Sequence, residues 1–286
     1  MPENVLFLYE NKVDDATMTA SSTAGSLGPD NLKNREVEKV ARTTGDTAEW
    51  WKADFGSEVN VSTVCLWNHN LGAGGTIRIR LSNNSDLSSP VYDQTSDAWP
   101  VLYGPDDIGL DMCGYGGYAI LSEFQNYRYY WLRRLGATYN ARYLGVDVAD
   151  AANPDGYIQA GRLIAGIGWQ PTKNFSYGWS IDWQDDSEQI AMDGGGLWID
   201  ERQKFRVLTL PFRFASAADA NGSYTDFQRI VGHAKDVLVV PFPDKSGVEQ
   251  YRSTLYGVPV RNGLGKPVQK QTDVFEFSVR FREIIA

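Results

Sequence analysis

Cysteine and histidine are nearly absent from this sequence, which has only two of each among its 286 residues. Cys65 and Cys113 are too few and too far apart in the chain to indicate a zinc site. A free cysteine is commonly buried as a small hydrophobic residue, and thiols stay reduced in the cytoplasm. We therefore predict that both are buried and unpaired, and expect neither a metal nor a cofactor.

A surplus of positive charge and long apolar runs are missing too. The formal net charge is −9 and no block of Lys and Arg occurs, which disfavours a nucleic-acid partner because phosphate contacts need clustered cations. No segment approaches the roughly 20 apolar residues of a membrane span. The start, MPENVLFLYENKVDD, lacks the basic and apolar regions of a secretory signal. We expect synthesis in the cytoplasm and no membrane span.

Apolar and aromatic residues are abundant, at 42% and 13%, so the chain should fold, and its length suits two domains. The stretch DVADAANPDGYIQAG at 147–161 is rich in Asp, Asn, Pro and Gly and has no periodicity. We place a boundary there, giving domains 1–150 and 151–286.

Alternation with period two predicts a mainly β protein. Ile77, Ile79 and Leu81 alternate with polar residues, and many short strands separated by polar turns are typical of a sandwich or jelly roll. The clearest strand is the last, in which four apolar residues share one face: Phe275, Phe277, Val279 and Phe281. We expect these four side chains to close the core of a β-barrel or sandwich.

One segment has helical rather than strand periodicity. Four apolar residues fall on one helical face, Tyr224, Phe227, Ile230 and Val231. Thr225 can cap the helix and Gly232 can end it. The sequence therefore predicts one α-helix near 224–232 in the second domain.

The stretch Asn68-His69-Asn70, followed by LGAGG, could be a chemical site or a corner. A catalytic or metal-binding His69 needs a partner at a defined spacing, whereas Asn and Gly are turn formers. We favour a corner. His233, after the helix-ending Gly232, suits the negative end of the helix dipole.

The span 28–79 resembles the discoidin, or coagulation factor 5/8 type C, galactose-binding-like family. The shared features are Asn31-Leu32, Trp50-Trp51, the corner Asp54-Phe55-Gly56, and Val61 followed by Val64 and Leu66. The resemblance implies a galactose-binding-like jelly-roll sandwich over 1–150, with the tryptophans in its core. Such domains often bind Ca²⁺, for which the scattered carboxylates would be Asp30, Asp46 and Asp86.

Residues 156–286 resemble phage tail proteins of the distal-tail and baseplate-hub type. The resemblance lies in the order of features from GRLIAGIGWQPTKNFSYGWSIDWQDDSE through DVLVVPFPDKS and LYGVPV to FEFSVRFREI. It implies a structural protein of a virion tail tip, with a β-barrel domain that forms rings of three or six copies joining the tail tube to hub or baseplate proteins.

Two other functions are alternatives to this structural role. Aromatic side chains in the loops SDAWPVLYGPDD and CGYGGYA could stack on a host surface glycan, although they could equally fill a core: Trp99, Tyr103, Tyr115 and Tyr118. An acidic cluster could serve a depolymerase, but its alternation with Trp179, Ile181 and Trp183 favours a solvated turn: Asp182, Asp185, Asp186 and Glu188. No nucleophile-elbow, phosphate-loop, HExxH or dinucleotide motif occurs, so we expect no enzyme.

Overall fold

The computed structural model describes residues 3–99, 129–245 and 247–285. Within these ranges the chain is mainly β, as predicted, with two α-helices, α1 Tyr224–Val231 and α2 Gly247–Ser253. The strands are β1 Leu6–Leu8, β2 Thr17–Ala20, β3 Ala41–Arg42, β4 Glu49–Trp67, β5 Thr76–Ser82, β6 Tyr92–Asp97, β7 Tyr130–Ala149, β8 Gln159–Ala160, β9 Arg162–Gly166, β10 Ser180–Gln184, β11 Glu188–Ala191, β12 Leu197–Asp200, β13 Phe205–Ser216, β14 Val237–Val240, β15 Leu255–Leu264, β16 Val268–Gln271 and β17 Val274–Glu283.

The chain divides into two compact units, and the division differs from the predicted boundary after residue 150. The larger unit comprises 10–168 with 246–252, and the smaller unit comprises 1–9, 169–245 and 253–285. Strand pairing explains why the larger unit extends past residue 150 and why the first nine residues belong to the smaller unit. β9 pairs with β4, which carries the larger unit on to Gly166, and β1 pairs with β14, which assigns the first strand to the smaller unit.

The larger unit contains a curled antiparallel sheet in the order β2-β4-β7-β5-β6, with β9 also paired to β4. β4 and β7, which are 19 and 20 residues long, pair with each other, and their register shifts twice, at irregularities of the kind that bend a strand. Gly56 and Gly136 lie at these bends, each with a φ of 76°, a left-handed conformation that glycine adopts without steric cost. The Gly56 N–H donates to Asp54 Oδ1 at 2.8 Å, which confirms the predicted corner.

The core of the larger unit follows the predicted alternation. Ile77, Ile79 and Leu81 are buried, as are Trp51 and Cys65. Cys65 is a free thiol and burial raises its pKa, as expected for a small core residue. The second cysteine, Cys113, lies outside the described residues.

The smaller unit contains a sheet in the order β1-β14-β15-β17-β13-β10, with β16 paired to β17. Phe277, Val279 and Phe281 of β17 are buried in its core, and Phe275 packs against that core partly buried. The hydrogen-bonded path through the described strands runs from β1 to β10, so the closing of a barrel by this strand stays a prediction.

Helix α1 packs three residues of its predicted face, Tyr224, Phe227 and Val231, into the core of the smaller unit, whereas the fourth, Ile230, is only partly buried. Gly232 ends the helix with a φ of 55°. The predicted cap is wrong. The helical path starts earlier, with a π-helical turn at 219–223, and the Thr225 hydroxyl donates back to the Ala220 carbonyl at 2.9 Å. No helix among the described residues is long and apolar enough to span a membrane.

Candidate functional site

The face of the larger unit's sheet opposite its core carries a row of four side chains, one from each of four adjacent strands. Strand register aligns Trp50 of β4 with Asp147 of β7, Asp147 with Arg78 of β5, and Arg78 with Thr95 of β6. Because side chains alternate between the faces of a strand, this row lies on the other side of the sheet from Trp51, Val146, Ile77 and Ile79.

These residues line a concave surface that we call the sheet-face groove, with a volume of about 310 Å³. Its lining is Thr47, Ala48, Glu49, Trp50, Thr76, Arg78, Thr95, Asp147, Val148 and Ala149. Small-molecule sites typically enclose roughly 300–1,000 Å³ and combine apolar surface with a few fixed polar groups. Trp50 is partly exposed and supplies the aromatic part of this surface.

Two bidentate ion pairs hold the charged side chains of this face. Arg78 donates to both carboxylate oxygens of Asp93, at 2.7 and 2.6 Å, and Arg80 donates to those of Asp147, at 2.8 and 2.6 Å. Pairing with Arg78 lowers the pKa of Asp93, and the same hydrogen bonds raise the pKa of Arg78. Each of these planar groups is therefore held in one orientation, because a two-point contact restricts rotation.

A loop covers the neighbouring row of positions on this face, the row of Lys52 and Gly145. A side chain at Gly145 would meet Leu87, whose nearest carbon lies 2.4 Å from the position of a Cβ atom. Lys52, paired with Gly145, donates from Nζ to the Ser85 carbonyl at 3.0 Å. The loop that carries Ser85 and Leu87 thus covers the second row and leaves the row of Trp50 and Asp147 open.

The lining of the groove carries no surplus of positive charge. Its charged residues are one cation, Arg78, and two carboxylates, Glu49 and Asp147. Glu49 accepts hydrogen bonds from the hydroxyls of both Ser21 and Ser22. Fixed donors and acceptors of this kind next to an aromatic ring suit an uncharged ligand with several hydroxyl groups better than an anion.

The Asn68-His69-Asn70 stretch is a corner, as predicted. Asn68 has a φ of 58° and donates from its side chain to the Val37 carbonyl at 2.9 Å, and the Asn70 side chain accepts from the Gln159 N–H at 2.8 Å. His69 is buried, and its Nδ1 accepts the Leu71 N–H at 3.3 Å. Burial lowers the pKa of His69 to about 4, although the backbone of Tyr130 partly opposes the shift.

Of the four predicted sugar-stacking residues, Trp99 alone lies among the described residues. It is 2% exposed, and its indole N–H donates to the Leu71 carbonyl at 2.7 Å. Its ring contacts those of Tyr129 and Tyr251, at centroid distances of 5.0 and 5.7 Å. Trp99 therefore packs as a core residue would, which was the alternative to sugar stacking for this side chain. Stacking of Tyr103, Tyr115 and Tyr118 on a sugar stays a prediction, since these residues lie outside the described ranges.

The side chains of the predicted acidic cluster have separate partners in the structure. Asp182 lies on β10, Asp185 accepts the Ser187 N–H at 3.1 Å, and Asp186 pairs with Arg282 at 2.6 Å. Glu188 begins β11, where it stands opposite Asp200. These contacts fit the solvated turn that the alternation predicts.

The calcium candidates are also dispersed. Asp30 pairs with Lys33 at 2.9 Å, Asp46 accepts the Thr47 hydroxyl at 2.8 Å, and Asp86 accepts the Ser88 hydroxyl at 2.7 Å. The part of the chain that the structure describes contains no group of three or more His, Cys, Asp or Glu that could hold a metal ion.

Sequence reasoning placed both Trp50 and Trp51 in the core and did not identify the groove. A signal was present. Adjacent residues in a strand point to opposite faces, so only one tryptophan of the pair can face the core. Arg78 and Arg80, alternating with buried isoleucines, marked the same outer face.

Comparison with known proteins gives similarities to solved structures only; no family model and no curated protein matches the chain. A lectin domain of lectinolysin, solved with Lewis b antigen, is 19% identical and covers 55% of this chain and 95% of its own, with a TM-score of 0.37. A fucose-binding module of Streptococcus pneumoniae is 15% identical over 56% of this chain and 96% of its own, with a TM-score of 0.37. A chitosan-binding module from a Paenibacillus sp. IK-5 chitosanase/glucanase is 16% identical over 55% and 98%, with a TM-score of 0.38. At TM-scores below 0.5 these likenesses carry no argument about the ligand of this chain.

Proposed function

We propose that the larger unit binds an uncharged carbohydrate in the sheet-face groove. The observation that carries this proposal is the aligned row of Trp50, Asp147, Arg78 and Thr95. An aromatic ring offers a flat apolar surface to the C–H face of a sugar ring, while carboxylate and guanidinium groups accept from and donate to its hydroxyls. The lining has two carboxylates and one guanidinium, which favours a neutral sugar over a sulfated or uronic one.

The proposal assigns binding rather than catalysis to the groove. The two carboxylates among the lining residues, Asp147 and Glu49, are already engaged, the first by Arg80 and the second by two serine hydroxyls. A general acid needs a carboxyl that is free to protonate the leaving oxygen. A ligand in the groove would instead be oriented by groups whose positions are fixed before it arrives.

An array of neutral oligosaccharides probed with the whole protein tests the proposal, followed by calorimetric titration of the sugar that is retained best. We expect Trp50→Ala to weaken binding at least tenfold and Thr95→Val to weaken it less. Trp183→Ala, which removes another partly exposed tryptophan from the smaller unit, is the matched control and should bind as the native chain does. Absence of any retained sugar would overturn the proposal. Loss of binding in Trp99→Phe but not in Trp50→Ala would move the site to the loops near Trp99.

A structural role in a phage tail tip is the second candidate function. It is favoured by apolar side chains that the smaller unit leaves exposed on a two-stranded hairpin, Ile190, Leu197, Trp198 and Ile199. Exposed apolar clusters of this kind are typical of surfaces that assemble with other proteins. Negative-stain images of the purified protein test the role: closed rings of three or six copies would support it, and a protein that stays monomeric both alone and with tail tubes would exclude it.

A further inference from the structure

The smaller unit extends a hairpin from the edge of its sheet. β10 pairs with β13, and beyond this pair the chain continues into β11 and β12, which pair only with each other among the described strands. We call residues 185–204 the hairpin arm. A two-stranded hairpin on its own is marginally stable in water, because neither of its faces is packed.

Both faces of the hairpin arm carry exposed apolar side chains. Ile190 and Trp198 stand opposite each other on one face, with Trp198 47% exposed. Leu197 and Ile199 lie on the other face and are exposed as well. A surface in contact with the arm would remove these side chains from water and order the hairpin.

The arm is also acidic. Residues 185–204 contain six Asp and Glu against two Lys and Arg, whereas the remainder of the smaller unit, from residue 3 onward, contains 11 Lys and Arg against nine Asp and Glu. Within the arm, Glu188 stands directly opposite Asp200, and Arg202 forms an ion pair with Asp200 at 3.1 Å. Like charges directly opposite each other destabilise a hairpin, and an exposed ion pair of this kind offsets only a small part of that cost.

A surface that complements the arm occurs on the same unit. The register of β13 against β17 shifts between Phe212 and Ala215, and this irregularity exposes both Arg213 and Phe214, the latter 63% exposed. Arg280, on the face of β17 opposite the buried Val279 and Phe281, is exposed too. Neither arginine forms an ion pair among the described residues. We call Arg213, Phe214 and Arg280 the arginine face.

We propose that the hairpin arm of one copy docks on the arginine face of a second copy. The contact brings the acidic residues of the arm to the arginines of the face, and the apolar side chains of the arm to Phe214. It uses two different surfaces of the chain, the arm on one copy and the face on the other. Such head-to-tail contacts repeat from copy to copy and give a ring if the rotation closes or an open chain if it does not. The proposal deepens the structural role above and is independent of sugar binding in the larger unit.

Light scattering on the whole protein, coupled to size separation, tests the contact against a monomer mass of 31.9 kDa. The arm variant is Trp198→Ser and the face variant is Arg213→Glu with Arg280→Glu. We expect the native chain to form oligomers and each variant to be a monomer. A mixture of the two variants retains one intact arm and one intact face, so it should form dimers and nothing larger. Arg229→Glu, a charge reversal at an exposed site on α1, is the matched control and should leave the oligomer unchanged.

A second arm variant separates docking from folding of the hairpin. Glu188→Lys places a cation opposite Asp200, which should stabilise the hairpin while it reduces the negative charge of the arm. We expect this variant to associate at least tenfold more weakly than the native chain. A monomeric native chain, or oligomers that the face variant leaves intact, would overturn the proposal. Open chains rather than rings would support the contact while counting against the tail-tip ring.

Discussion

Arg206 and Glu283 form a bidentate ion pair in which each side chain is 1% exposed. The guanidinium donates to the carboxylate from Nη2 at 2.5 Å and from Nε at 3.0 Å, and the Arg206 N–H donates to the same carboxylate at 3.1 Å. The pair joins β13 to the end of β17. It therefore connects two neighbouring interior strands of the smaller unit's sheet through charged groups inside the protein.

Removal of one partner of this pair should destabilise the protein more than removal of both. Glu283→Ala leaves the Arg206 guanidinium buried without its carboxylate, at a cost of about 3–5 kcal/mol. Arg206→Met combined with Glu283→Leu removes both charges, and we expect it to recover most of that loss. The free energy of unfolding from urea denaturation measures both effects. A double variant as unstable as Glu283→Ala would contradict the expectation.

Truncation of the terminal strand's core residues should be costly. Phe281 is fully buried and contacts the rings of Phe7 and Phe227, so Phe281→Ala should lower the free energy of unfolding by about 3–5 kcal/mol. Tyr177→Ala is the control, because truncation of an aromatic side chain that is 96% exposed leaves no cavity. Its effect should stay within about 0.5 kcal/mol. Equal effects of the two substitutions would show that β17 does not pack as described.

The two bends of the larger unit's sheet provide a test of backbone conformation alone. Gly56 and Gly136 have left-handed φ values, and a Cβ atom at either position would meet nothing within 4 Å. Substitution by alanine should therefore cost only the strain of that conformation, about 1–2 kcal/mol.

Gly28 supplies the control for this prediction. It has a φ of −74° and equally open surroundings. Gly28→Ala should be neutral or stabilise the protein by about 0.4–1 kcal/mol, since alanine restricts the unfolded chain. Thermal melting followed by circular dichroism compares Gly28→Ala with Gly56→Ala and Gly136→Ala, the two substitutions at left-handed glycines. If Gly28→Ala destabilised the protein as much as the substitutions at Gly56 and Gly136 do, the left-handed φ would not be the cause of their loss of stability.

Features that depend on neighbouring residues were predictable from the sequence, and features that depend on strand register were not. The Asn68 corner, the Asp54-Phe55-Gly56 turn and the end of α1 at Gly232 each arise from a few consecutive residues, and the structure confirms all three. The start of α1 was missed, because the π-helical turn before it has no signal in apolar periodicity.

The sheet-face groove shows the limit of that reasoning most clearly. Trp50 and Asp147 are 97 positions apart, and only the pairing of β4 with β7 places them side by side. A one-residue change of register would turn Asp147 to the other face of the sheet. Alternation predicts which residues share a face of one strand, but not which residues of another strand stand beside them.

The corner histidine should give the protein a pH-dependent stability. An unfolded His69 titrates near its usual pKa of about 6.5, whereas burial lowers the pKa in the folded protein to about 4. Between these values the unfolded chain binds a proton that the folded chain does not. The contribution is therefore fully present above pH 6.5 and is lost as the pH falls towards 4, by up to about 3 kcal/mol.

The comparison of two histidine variants isolates this effect from the carboxylates that titrate in the same range. His69→Asn keeps a side-chain acceptor for the Leu71 N–H but cannot be protonated, so its stability should fall less steeply with acid than that of the native chain. His233→Asn, at an exposed position, should retain the native slope. Urea unfolding at several values between pH 4 and 7 provides the slopes. Parallel profiles for the native chain and His69→Asn would mean that the corner is open enough to water for His69 to be protonated in the folded protein.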